Sequence, residues 1–345
     1  MKIPGILRIM LSAMVLGLSM FVLKSTVHAD DGRFVCRFHE VKGIGAEKGI
    51  MRRDPSDIIK VEDLYYVWYT KGKQSHGYDA TIWYATSPDG RTWTEQGEAI
   101  GRGPENSWDD QSVFTPNILV VDGTYYLFYT AVSKPFANEG PNISKTAIGI
   151  AVSDSPDGPW RKLATNPILR ASADPGEFDS MRVDDSCMIV RNGTYWLYYK
   201  GRQWNNTPRN TKMGVAIADR PEGPYVKSAL NPLVNGGHEV LVWPHGIGAV
   251  TMIGGVGPDG IRNTLMFAPD GLRFSKMADL VNAPLAPGAY RPEAFTDSNE
   301  GDMIEWGLSI GRKEGYLPFL IRFECEPVRR GAETSALPDA NKRRR

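Results

Sequence analysis

Three places in the chain set ionisable side chains where an extended segment begins: Asp54 in Arg53-Asp54-Pro55-Ser56-Asp57, Asp184 and Asp185 in Arg182-Val183-Asp184-Asp185-Ser186, and His238-Glu239 after Gly236-Gly237. Such a set suits general acid–base hydrolysis of a glycosidic bond. One group must be ionised to activate water, and another must be protonated to donate to the leaving oxygen. A third carboxylate raises the donor's pKa by like-charge repulsion. Asp54 is an expected catalytic residue. Asp184 and Asp185 compete for the tuning position, because a one-residue change of register turns a side chain to the opposite face; alternation along the aligned segments favours Asp184. Gly236-Gly237 lets backbone approach a ligand closely, which favours a functional role over a structural one for His238 beside Glu239. Asp57 reads as a capping or bridging residue within its own segment.

The elements that must position these groups announce themselves as a repeat. Tyr65-Tyr66-Val67-Trp68-Tyr69, Tyr125-Tyr126-Leu127-Phe128-Tyr129 and Tyr195-Trp196-Leu197-Tyr198-Tyr199 are copies of one aromatic phrase. A second phrase follows each: Ser87-Pro88-Asp89-Gly90, Ser155-Pro156-Asp157-Gly158, Arg220-Pro221-Glu222-Gly223 and, more loosely, Ala268-Pro269-Asp270-Gly271. Short alternating strands and Asp-Gly turns at a period of roughly 60 to 70 residues predict an all-β fold, a five-bladed β-propeller. Blades are expected to start at Asp54, Phe114, Asp184, Glu239 and Arg291, with Phe114 standing in blade two where Asp54 stands in blade one. That asymmetry suits one active site rather than equivalent binding sites in every blade. The inner strands begin at one mouth of the tunnel, so their first polar residues converge there.

Residues 1–29 read as a secretory signal peptide, with Lys2 and Arg8 before the apolar run Ile9 to Leu23 and a small-residue cleavage site at Val27-His28-Ala29. Residues 30–327 form the expected single propeller domain, and residues 328–345 a disordered basic tail. The expected location is secreted or periplasmic, with no stable membrane insertion after cleavage. Cleavage removes Lys2, Arg8 and Lys24 but no acid, tipping a chain of 40 basic and 40 acidic residues slightly to the acidic side. Such a balance argues against a nucleic-acid partner. Cys36 and Cys325 lie in strand-like segments at the two ends of the repeat array, where ring closure would pair them in an oxidising compartment; two separate buried thiols are the alternative. Cys187 reads as core.

Arg53-Asp54-Pro55-Ser56-Asp57, Phe114-Thr115-Pro116-Asn117, Phe178-Asp179-Ser180-Met181-Arg182-Val183-Asp184-Asp185, Tyr199-Lys200-Gly201-Arg202 and Gly237-His238-Glu239-Val240-Leu241-Val242-Trp243-Pro244-His245-Gly246 together resemble glycoside hydrolase family 117, over roughly residues 38 to 325. The resemblance implies an exo-acting hydrolase that removes 3,6-anhydro-L-galactose from the non-reducing end of neoagarooligosaccharides with inversion. It makes Asp54 the general base and His238 the general acid, oriented by Glu239 and by Asp184 or Asp185. A neighbouring carboxylate is expected to raise the pKa of His238. Members of that family carry an N-terminal helical segment that swaps between subunits; no counterpart is read here, so a homodimer is not expected to form by that route.

Trp108, Trp204 and Trp243 are candidates for stacking on sugar faces. Arg53, Lys200 and Arg202 are candidates for binding substrate oxygens, with ion pairing to the blade aspartates as the alternative. His245 is read as a sugar contact or a metal ligand. The expected partner is an oligosaccharide. No residue spacing demands a metal, and no cofactor is required, although the channel leaves room for a divalent cation. Two other readings stay open: an α-L-arabinofuranosidase or β-xylosidase of the family 43 type with Glu239 as acid, and a non-catalytic glycan-binding propeller.

Overall fold

The computed structural model describes residues 32–137, 143–254, 261–292 and 303–328. The signal segment and all of the basic tail beyond residue 328 lie outside these residues. Antiparallel strands account for nearly all regular structure, interrupted by two short 3-10 turns, Gly77–Asp79 and Pro208–Asn210.

Strands hydrogen-bond into four sheets. In blade two the path runs inner to outer through Ser112–Val121, Thr124–Val132, Ala147–Ser153 and Arg161–Lys162, and in blade three through Arg182–Arg191, Thr194–Arg202, Lys212–Ala218 and Val226–Lys227. Blade one has a broken inner strand, Met51–Arg53 and Ile59–Val61, followed by Leu64–Gly72, Ala80–Ser87 and Thr94–Ile100. The remaining sheet has eight strands, made of two four-strand runs. One is Leu241–His245, Gly248–Ile253, Thr264–Ala268 and Ser275–Val281. The other is Gly288–Ala289, Trp306–Gly311, Phe319–Pro327 and, on its outer edge, the N-terminal strand Arg33–Glu40. With each run taken as a blade, the propeller has five. Blade five starts at Gly288, not at Arg291, because Gly288 and Ala289 already pair with Leu308 and Gly307.

Arg33–Glu40 closes the ring. It pairs antiparallel with Phe319–Pro327 and parallel with Ser275–Val281, so one strand joins blades four and five. The antiparallel register places Cys36 opposite Cys325, and the two form a disulfide across 289 residues of sequence. Cys187 is a buried free thiol.

The repeated phrases prove to be partners between blades. Tyr66 of blade one donates its hydroxyl to Asp157 in the turn of blade two (3.4 Å), Tyr126 of blade two to Glu222 of blade three (2.9 Å), and Tyr198 of blade three to the Gly271 carbonyl of blade four (2.8 Å). At the closure, Trp306 of blade five covers Gly90 of blade one, whose φ of +67° and whose missing Cβ the contact requires. The apolar cores accordingly lie between neighbouring blades: Trp68 and Tyr129 share one, Phe128 and Tyr199 the next, Tyr198 and Trp243 a third, and Tyr69 and Leu320 the one at the closure.

At the axis a single ion pair touches every blade. Arg291, 3% exposed, donates to Asp57 (2.6 Å), to the Val242 carbonyl (2.9 Å) and to the Met188 carbonyl (3.0 Å). Asp57 also accepts from the Asn117 amide (3.1 Å) and the Ala289 N–H (3.2 Å). Asp57 therefore bridges between blades rather than within its own, because the expected local cap would leave Arg291 buried without a counter-charge. Removing one member of a buried pair costs about 3–5 kcal/mol, so Asp57→Ala should lower unfolding stability by that amount. The double variant Cys36→Ser, Cys325→Ser should lose about 2–4 kcal/mol. Urea unfolding checks both, and a loss below about 1 kcal/mol for Asp57→Ala, the size of an ordinary surface effect, would contradict the hub.

Candidate active site

Four of the five blades break at or just before the inner strand. Asp54, Thr115, Asp185 and Ala286 take left-handed backbone conformations, with φ of 50°, 45°, 52° and 44°. The ladder of blade two slips between Phe114 and Asn117 and that of blade three between Asp184 and Cys187, while blade one loses its pairing between Arg53 and Ile59. A bulge of this kind re-aims one side chain out of the strand's alternation. Asp54, Thr115, Asp185 and Glu239 consequently line one cleft over the axis, floored by Asp57, Asn117 and Cys187. Two expectations change by one residue. Asp185, not Asp184, is the counterpart of Asp54, and Thr115, not Phe114, is the counterpart in blade two, because the extra residue of the bulge shifts the period-two reading. The signal for Thr115 lies in the dipeptides Asp54-Pro55, Thr115-Pro116 and Ala286-Pro287, which share the break.

The electrostatics divide the cleft in two. On the blade-one side, Arg53 Nε donates to Asp54 Oδ2 at 2.7 Å and Arg53 Nη1 to the Ser75 carbonyl at 3.1 Å. Asp54 Oδ1 is buried and meets no donor. Across the cleft, the carboxyls of Asp185 and Glu239 lie within hydrogen-bonding reach of each other. Burial pushes Asp185 up to about 8, with Glu239 adding to the rise, and burial raises Glu239 as well. The pair therefore retains a proton at neutral pH. Lys200 ion-pairs with Asp185 Oδ2 and lies 3.6 Å from Asp184 Oδ1; its charge opposes the rise of both carboxyls, which share the proton between them.

His238 departs from expectation. Its Nδ1 faces the Pro208 carbonyl at 3.1 Å, and its Nε2 lies 3.7 Å from Glu239 Oε1. A carbonyl only accepts, so Nδ1 carries the proton and Nε2 is left as an acceptor. Lys200, followed by burial, pushes the imidazole down to about 4, the reverse of the expected rise. The neighbouring ammonium and burial together outweigh Asp185 and Asp184, which act the other way.

The family profile described as Glycosyl hydrolases family 43 matches residues 50–186. Among solved structures, a family 117 glycoside hydrolase produced by the marine bacterium Zobellia galactanivorans is 31% identical, with a TM-score of 0.75 over 85% of this chain and 91% of that one. The chain belongs to glycoside hydrolase family 117. An endo-arabinase from Bacteroides thetaiotaomicron shares the fold at 17% identity, with a TM-score of 0.52 over 84% of this chain and 98% of that one. So does a fructan 1-exohydrolase from Cichorium intybus at 14% identity and a TM-score of 0.55, over 83% and 57%. No curated protein matches by sequence.

Several predicted contacts of this family 117 chain fall elsewhere. Trp243 is 1% exposed in the core between blades and cannot reach a sugar. Trp108 stacks on Tyr129 (5.6 Å between centroids), and its ring occupies the space that a side chain at Gly149 would fill. Phe178 does the same in blade three, beside Tyr199. His245 ends the strand Leu241–His245 at the hairpin Gly246-Ile247. Arg191 binds both the Ile247 carbonyl of that hairpin and the Pro269 carbonyl of an Asp-Gly turn, so this is the face opposite the cleft. Lys200 and Arg202 are 8% and 7% exposed and do not line the cleft; Lys200 serves the alternative role, as an ion-pair partner of Asp184 and Asp185, while Arg202 is buried opposite Arg182 in the ladder of blade three. Trp204 remains half-buried on the mouth side, just beyond Arg202. The sequence reading missed Tyr78, which stacks on Phe136 at 4.4 Å and meets Phe114 edge-on. Both residues lie in loops outside the repeat, so no periodic signal marks them. Among the described residues, no group of three or more His, Cys, Asp or Glu side chains is placed to hold a metal ion.

These placements separate the tryptophans. Trp243→Ala should lose about 3–5 kcal/mol of stability, Trp108→Ala a part of that, and Trp204→Ala no more than about 0.5 kcal/mol. Thermal unfolding alongside saccharide titration checks the split: only Trp204→Ala should weaken binding without lowering the melting temperature.

Proposed function

We propose that this family 117 chain is an exo-acting glycoside hydrolase that releases 3,6-anhydro-L-galactose from the non-reducing end of neoagarooligosaccharides by an inverting general acid–base mechanism. The observation that carries the reading is the division of the cleft, with Asp54 held by Arg53 on one side and a proton-sharing Asp185–Glu239 pair on the other. Asp54 Oδ1 takes a proton from the attacking water. Glu239 donates to the glycosidic oxygen as the bond breaks, while burial and the neighbouring carboxyl of Asp185 hold the proton on the pair until that moment. The Asp57–Arg291 pair closes the tunnel beneath the cleft, and a blind pocket favours attack at a chain end. Every role falls to a side chain of the protein. The disulfide between Cys36 and Cys325 supports export to an oxidising compartment, in line with the signal-like residues 1–29. No helix among the described residues is long and apolar enough to cross a membrane.

A second reading, an α-L-arabinofuranosidase or β-xylosidase, is favoured by the family 43 match over residues 50–186 and by Glu239 as donor. The test incubates the protein with neoagarobiose, neoagarotetraose and aryl arabinofuranosides and xylosides, and follows the anomeric products by NMR. Release of 3,6-anhydro-L-galactose with inversion is expected; aryl-glycoside cleavage alone would move the assignment to the second reading. Asp54→Asn and Glu239→Gln should each lose about 10²–10⁴-fold in kcat, and His238→Gln less than about tenfold.

The pH dependence has a definite sign. The donor must be protonated, a condition met below the raised pKa of the pair and lost as pH rises through it. The alkaline limb of kcat/KM should therefore lie well above the ordinary carboxylate range. A limb near the ordinary histidine value would instead return the acid role to His238.

A further inference from the structure

We propose that Phe136, backed by Tyr78, is the platform on which the sugar of the leaving group rests, at the rim of the cleft above the carboxyls. The proposal deepens the hydrolase reading above and rests on it.

The cleft is floored by Asp57, Asn117 and Cys187. An oligosaccharide therefore enters with one end down, and its second sugar lies against the rim. Residues 75–78 of blade one form part of that rim, because three contacts tie them to neighbours of the groups that line the cleft. Arg53, beside Asp54, donates to the Ser75 carbonyl at 3.1 Å. Gly77 packs on the ring of Phe114, beside Thr115, so closely that a Cβ there would come within 3.3 Å of it. Tyr78 reaches on to blade three, where the guanidinium of Arg182, at the start of the strand that carries Asp185, lies 5.6 Å from the centre of its ring.

Tyr78 is held from several sides. Its N–H donates to His76 Nδ1 (3.2 Å), its carbonyl accepts from the Gln111 amide (2.9 Å), and its ring meets Phe114 edge-on and Phe136 in a stack at 4.4 Å. Phe136 rests one face on Tyr78 and stays half-buried. Its loop is fixed on both sides of the ring. Ser144 Oγ donates to the Pro135 carbonyl (3.1 Å) and accepts from the Ala137 N–H (2.8 Å), and the Ser144 N–H donates to the Ala137 carbonyl (2.8 Å). Arg182 donates to the Ser144 carbonyl, so the residue against Tyr78 also holds the loop of Phe136. Neither aromatic ring belongs to the cores between blades. A ring fixed in advance loses little freedom on binding, and an aromatic face suits the apolar face of a sugar. His76 adds a polar group beside the stack. Because its Nδ1 accepts from Tyr78, the neutral ring carries its proton on Nε2, an exposed donor for a hydroxyl.

The experiment titrates the folded full chain carrying Asp54→Asn, which suppresses turnover, with neoagarobiose and with the methyl glycoside of 3,6-anhydro-L-galactose, which lacks the second sugar. Adding Phe136→Ala should weaken neoagarobiose roughly three- to tenfold and leave the methyl glycoside unchanged, and Phe136→Tyr should restore the disaccharide. With Asp54 intact, the same loss should appear in KM with little change in kcat, as expected of a contact made equally before and during reaction. A rim merely loosened by the substitution would weaken both ligands alike. Equal losses on the two, or no loss on the disaccharide, overturn the platform. If neither ligand binds, the proposed reaction fails, and xylobiose and arabinobiose are compared with their methyl monosaccharides. A loss confined to the disaccharide then supports Phe136 on another substrate, and binding of none of them overturns the platform as well.

Discussion

The rest of the molecule depends on one buried ion pair. Asp57 and Arg291 sit where the inner strands converge, and between them they reach blade one, Asn117 of blade two, Met188 of blade three, Val242 of blade four and Ala289 of blade five. A ring of sheets has no central core of its own, since the apolar clusters lie between adjacent blades. Directional hydrogen bonds from one guanidinium and one carboxylate therefore do what apolar packing cannot do at the axis, which is to set all five inner strands at one height. The pair is also the floor of the cleft. The depth at which the carboxyls meet a substrate and the integrity of the ring follow from the same contacts.

On that floor the chain spends backbone strain to aim its chemistry. Left-handed φ at a residue other than glycine is uncommon, and such strain collects at functional sites. Here it recurs at one level in four inner strands, at Asp54, Thr115, Asp185 and Ala286. Each break turns one side chain from the interblade surface toward the axis. The repeat thus supplies the same presentation several times, and residue identity differentiates it: acids at Asp54 and Asp185, a hydroxyl at Thr115, a methyl at Ala286. A single asymmetric site arises from a symmetric device.

Charge then assigns the roles. Arg53 and Lys200 stand on opposite sides of the cleft, each against an aspartate, and only the Asp185–Glu239 side has two carboxyls sharing one cation. Opposite protonation states on the two sides are what an acid–base hydrolase requires. His238 is drawn into this arrangement with its pKa lowered, because the Lys200 ammonium and burial outweigh Asp185 and Asp184.

The residue pattern by itself determined the propeller and pointed to the convergence of Asp54 and His238-Glu239, since repeated strands and turns are local signals that survive in one dimension; it offered the pair Cys36–Cys325 beside two separate thiols, and the register of the closing strand decided between them. It also carried the family, through motifs such as Phe178 to Asp185. It could not determine Asp185 over Asp184, because a bulge inserts a residue that alternation counts as if it were paired. Nor could it place Trp108 and Trp243, whose indoles fill space against Gly149 and between blades, a property of neighbours distant in sequence. The axis was the least legible part. Asp57 and Arg291 are 234 residues apart, and only ring closure makes them a pair. The protonation of His238 belongs to the same class: its adjacent Glu239 is visible in the sequence, but the ammonium of Lys200 that overrules it arrives from another blade. Local pattern sets which groups a strand offers; long-range electrostatics and packing, which exist only once the ring has closed, decide what those groups do.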